Sequence, residues 1–138
     1  MPALQVDDAS PRDALKKAAS IAAGFVALLH GWFFVLETFL WRTPFALKSL
    51  QMTAADAEAT AILAGNQGVY NAVFAVGLGL GVFKKNAAFV RFFLVSIICV
   101  GLYGAVSARW TILFLQVLPA AIALGLTWLA NRSGPREA

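Results

Sequence analysis

Four apolar runs, each close to 20 residues long, constrain this chain more than any other feature. They cover about 18–41, 61–83, 87–107 and 110–130. About 20 apolar residues at a 1.5 Å rise cross the ~30 Å hydrocarbon core of a bilayer as a helix. Backbone groups in lipid must be bonded within their own segment, which selects helix or closed barrel. The runs are continuously apolar rather than alternating, which argues against a barrel. The predicted fold is therefore all-α, an integral membrane four-helix bundle.

Composition agrees. Of 138 residues, 60% are hydrophobic and 13% charged, with a mean hydropathy of +0.75. Soluble domains carry about 25% charge. The balance excludes an ordinary soluble enzyme, a disordered tail and a nucleic-acid binder. The pI near 9.6 comes from Lys and Arg that flank apolar runs, a pattern that orients membrane proteins. The first run follows Arg12, Lys16 and Lys17 like a signal peptide, but it is too long and no small-residue cleavage site follows it. It is read as a retained span.

The reading divides the chain into an N-terminal tail over 1–17, a membrane domain over 18–130 with a connection at 42–60, and a C-terminal tail over 131–138. Eight Lys and Arg lie on the side of both ends and the 84–91 turn, and three lie on the other side. The positive-inside rule then puts both ends in the cytoplasm of a multi-pass protein of a bacterial inner membrane. Trp41 and Trp110 mark the outer interface and Trp128 the inner one. Thr43-Pro44 is expected to start a short helix. Thr53 and Asp56 fit a capping box for the second span. Residues 1–13 and 133–138 are expected to be loose.

Polar residues within spans are costly and therefore informative. Glu37 is the one acidic residue in the four runs. His30, Phe34, Glu37 and Trp41 share one helical face. His30 and Glu37 lie about 10 Å apart along the axis, so each needs its own partner from another helix. Asn66, Gln67, Tyr70 and Asn71 on the second span and Gln116 on the fourth fall at similar depth in the outer half. An outward-opening polar pocket is expected, with Arg42 and Arg109 near its rim. The structural alternative is interhelical hydrogen bonding that only holds the bundle together, or pairing of Glu37 with either arginine. The pairs Gly77/Gly81, Gly68/Ala72 and Gly101/Ala105 suit close helix packing. Pro119 is expected to kink the fourth span. Cys99 is expected to be a small buried side chain.

At Glu37-Thr-Phe-Leu-Trp41-Arg-Thr-Pro44 and Asn66-Gln-Gly-Val-Tyr-Asn71 the chain resembles domain-of-unknown-function family 1304. The resemblance covers about 18–130. It implies a small four-span bacterial membrane protein with no established reaction, and stresses Glu37, Trp41, Asn66, Gln67, Gly68, Tyr70 and Asn71. In architecture alone, a glutamate in the first of four spans is similar to the small multidrug-resistance exporters.

The function expected is binding or transport of a small or lipid-like molecule around Glu37. The candidate ligand-binding residues are His30, Glu37, Trp41, Asn66, Gln67, Tyr70, Asn71 and Gln116. The alternatives are a membrane-embedded enzyme using His30 and Glu37, or an accessory protein packing on a partner. No catalytic residue is assigned, and no cofactor or metal is expected. The partners expected are the lipid bilayer, a small-molecule or lipid ligand, and a second copy in a homodimer. Nucleic acid is not expected.

Overall fold

The computed structural model describes residues 10–132. Helix α1 spans Pro11–Val35 and runs into a wide π turn, Leu36–Leu40. The short helix α2, Pro44–Leu50, follows. Then come α3, Ala54–Phe83, and α4, Ala87–Ser107. A second π turn, Leu113–Val117, leads into α5, Leu118–Arg132. Four helical segments are long and apolar enough to cross a membrane: Pro11–Leu40, Ala54–Phe83, Ala87–Ser107 and Leu113–Arg132. The chain is a multi-pass helical bundle. α1 packs on α3 and α5, and α4 packs on the same two. The ring order is thus α1–α3–α4–α5, as short connections between antiparallel neighbours favour.

Local signals set the helix ends. Ser10 caps α1, with Pro11 at the first position and Asp13 in the first turn. The helix thus begins inside the stretch expected to be loose, and residues 1–9 and 133–138 lie outside the described residues. Thr43 caps α2, and Thr53 with Asp56 forms a reciprocal capping box on α3. The α3–α4 hairpin turns through Lys85 at φ 51°, and the Asn86 amide reaches back 2.9 Å to the Gly81 carbonyl. Both chain ends of the described segment and this hairpin share one side of the bundle, here the termini side. The opposite side carries α2.

The two sides differ in filling. Toward the termini side sits an apolar core of Ala23, Val26, Leu78, Val90, Leu94, Ile97, Ala120 and Ala123. Glycines let α3 and α4 close on each other: a Cβ on Gly77 would collide with the Phe93 ring, and one on Gly81 would lie 2.9 Å from Val90 Cγ2. Gly101 does the same for α4 against Val117 of the second π turn. Cys99 is exposed on α4 rather than buried. On a helix of a membrane bundle the outward face is apolar, so a weakly polar thiol has no need of the core.

Candidate functional site

The site is built on the α1–α3 seam toward the α2 side. The regular winding of α1 ends at Val35, and the π turn that follows carries Glu37 and Thr38. A π turn holds one residue more than an α turn, so side chains beyond it are rotated away from the face an unbroken helix would give. Asn71 Nδ2 donates to Glu37 Oε2 at 2.6 Å. One step toward the α2 side, Trp41 Nε1 donates to Thr60 Oγ1 at 3.1 Å, and that hydroxyl donates onward to the Asp56 carbonyl at 2.7 Å. Farther out, Arg42 grips Glu58 with two nitrogens, Nε to Oε2 at 2.8 Å and Nη2 to Oε1 at 3.2 Å. Three rungs therefore tie α1 to α3. On α3 the two inner rungs, at 60 and 71, stand on one helical face with Ala64 and Gly68 buried between them.

Gly68 explains how the π turn approaches α3. A Cβ there would collide with Thr38 Oγ1 and lie 3.3 Å from both Phe34 O and Thr38 N. Thr38 Oγ1 is one of two buried side-chain polar atoms with no partner among the described residues, and His30 Nε2 is the other. His30 is fully buried. Its Nδ1 lies 2.8 Å from the Val26 carbonyl of its own helix. A carbonyl only accepts, so Nδ1 carries the proton and a neutral ring leaves Nε2 as an acceptor. The ring edge-packs with Phe33 and Phe74 at 5.7 and 5.8 Å.

Beside these rungs a cleft of about 190 Å³ is lined by Glu37, Thr38, Phe39, Trp41, Arg42, Ala61 and Ile62. That is ample for several ordered waters or a small polar group. A carboxylate, a guanidinium and two aromatic rings meet in it. Such a set accepts hydrogen bonds from a donor group and packs an apolar stem.

Of the eight sequence candidates, the structure brings together Glu37, Trp41 and Asn71. His30 lies deeper on α1, bonded to its own backbone rather than to another helix. Asn66, Gln67 and Tyr70 are exposed. Tyr70 is seven residues from Gly77 and shares its α4-facing side, yet it is 54% exposed, so α3 and α4 part toward the α2 side. Gln116 Nε2 donates 3.3 Å to the Ile97 carbonyl of α4, on the α4–α5 seam and away from Glu37. Neither arginine pairs with Glu37: Arg42 holds Glu58, and Arg109 Nη2 donates 2.5 Å to the Leu50 carbonyl at the end of α2. Sequence reasoning missed Thr38, Phe39, Thr60, Ala61 and Ile62 as site residues. Thr60 was findable, since it stands three turns before Asn71 on one face of α3.

Four apolar spans and a polar seam define a multi-pass membrane protein with a small polar cleft toward one side. The chain belongs to the family described as a protein of unknown function, DUF1304, whose match covers residues 24–128. It is also similar to an uncharacterized protein, YpaA, of Lactococcus lactis subsp. lactis strain IL1403. The two are 32% identical over 103 residues, which is 72% of this chain and 87% of the relative. No solved structure matches the chain.

Proposed function

We propose that this chain binds or transports a small or lipid-like molecule at the cleft around Glu37, in a bacterial inner membrane with both chain ends in the cytoplasm. The observation that carries the reading is a carboxylate within a span that has one recorded hydrogen-bond donor, Asn71, and borders an open cleft. An acidic group at such a depth is costly. A neutral residue would pack there at lower cost, so the presence of the acid favours a ligand that uses it. The ligand class that fits is a molecule with a cationic or hydroxyl-bearing head, since the carboxylate can only accept. The Lys and Arg bias of eight to three across the bundle supports the orientation. A His30–Glu37 acid–base pair is not favoured, because each is bonded to a different partner.

The test is mass spectrometry of the protein purified in mild detergent, wild type beside Glu37→Gln and Asn71→Ala. A small molecule retained by the wild type and absent from both folded variants is the expected result. If all three retain the same molecules, or none, the cleft is not a binding site and the polar seam serves the bundle alone.

A further inference from the structure

The glycines of this chain fall into two groups. Gly68, Gly77, Gly81 and Gly101 sit where a Cβ would strike a neighbouring helix. Gly24, Gly65, Gly79 and Gly125 meet nothing within 4 Å, and the nearest atom to Gly31 is the Ala75 Cβ at 4.0 Å. A glycine inside a helix costs about 1 kcal/mol relative to alanine. The first group recovers that cost in close packing, and the second does not. Gly24, Gly31 and Gly79 line an apolar groove of about 770 Å³ between α1 and α3, together with Ile21, Leu28 and Val82. What Gly24, Gly31 and Gly79 provide is the room itself.

The dimensions and ends of the groove select an occupant. From Ile21 to Gly31 it runs about 15 Å along α1, half of a ~30 Å hydrocarbon core and so the depth of one leaflet. Lys17 stands one turn before Ile21 on the same helical face of α1; Lys84, seven residues beyond Gly77, falls on the α4-facing side of α3. Lys17, Lys84 and Lys85 are exposed and make no ion pair among the described residues; Lys16 is held by Asp13 at 3.7 Å. An open apolar groove one leaflet deep, with the free Lys17 ammonium one turn beyond its end, complements an acyl chain beneath a phosphate.

We propose that the α1–α3 groove is a site for an anionic phospholipid of the leaflet on the termini side. One acyl chain lies over Gly24, Gly31 and Gly79, and the phosphate is held by Lys17. The site is separate from the Glu37 cleft, which lies farther along the seam toward the α2 side, and does not depend on the function proposed for that cleft.

The experiment reconstitutes the full chain in nanodiscs of mixed phosphatidylglycerol and phosphatidylcholine, releases it into mild detergent, and counts retained phospholipid by native mass spectrometry. Wild type is expected to retain phosphatidylglycerol over phosphatidylcholine. Lys17→Gln is expected to lower that preference roughly fivefold, the worth of one basic residue near the membrane surface. Gly24→Leu with Gly79→Leu fills the slot where nothing opposes a side chain. It is expected to unfold no sooner than the wild type and to retain neither lipid. Equal retention of the two lipids by the wild type overturns the proposal, as does undiminished retention by the filled-groove variant. A wild-type dimer without lipid that becomes a monomer in the filled-groove variant also overturns it, and makes the groove a seam between two copies.

Discussion

The two π turns lie toward the same side of the bundle and have different origins. The second, Leu113–Val117, directly precedes Leu118 and Pro119. Proline has no amide hydrogen, and its ring crowds the carbonyl four residues earlier, here Leu115. Widening the turn relieves that clash, so a covalent cause inside the segment is enough. The first, Leu36–Leu40, contains neither proline nor glycine. Nothing local forces it. It is accompanied instead by contacts to α3: the Asn71 bond to Glu37, and Gly68 pressed against Thr38. A wide turn kept by tertiary contacts around an acidic residue is the kind found at functional sites, whereas one before a proline needs no such account.

The largest expected effect comes from the close approach that seats the first turn. Gly68→Val should lower stability by about 3 kcal/mol, the upper end for overpacking a filled contact, read as loss of thermal stability in detergent. An unchanged melting temperature would mean that the turn does not depend on α3. Next is the polar rung. Asn71→Ala should cost about 1–3 kcal/mol by leaving a half-buried carboxylate without its donor. The double variant with Glu37→Leu should recover much of that loss. A double variant no more stable than Asn71→Ala would show that the pair is not coupled. The smallest effect belongs to the second turn. Pro119→Ala removes its cause, so the segment should rewind to an α-helix, with the change visible as slower amide exchange over 115–119. Loss of the Gln116 bond to Ile97 should offset the gain by about 0.6 kcal/mol. If that segment stays wide without the proline, the contrast between the two turns fails.

Much of this architecture could be read from residues alone, because burial in lipid leaves few choices. Four apolar runs dictate four helices. Thr43, Thr53 and Asp56 announce helix starts by side chains that cap free amides, and the structure shows those caps. Ser10, Pro11 and Asp13 carry the same signal, masked by the polar composition of the stretch around them. The site was legible as far as Glu37 and Asn71, since an acid and an amide at one depth on adjacent spans are suited to meet. What could not be read is rotation. A helical face extrapolated from His30 through Glu37 assumes an unbroken 3.6-residue period, and the first π turn breaks it for reasons that lie on α3. The same limit applies to Gln116. Depth grouped it with Glu37, but which of two neighbouring helices it faces is set by the ring order of the bundle. Cys99 failed for a different reason: the rule that thiols are buried is drawn from proteins surrounded by water.

Every rung of the α1–α3 seam joins residues between 37 and 71: Glu37 to Asn71, Trp41 to Thr60, and Arg42 to Glu58. The cleft draws on the same stretch. During synthesis the chain leaves the ribosome from its N-terminus, so all of these partners have emerged before any of α4 or α5. The first helical hairpin thus carries the complete polar set as it enters the membrane, and the later spans close around an arrangement already made. The Arg109 bond to Leu50, which ties the last connection to α2, and the Gln116 bond to Ile97 on the α4–α5 seam form later, as the rest of the chain emerges.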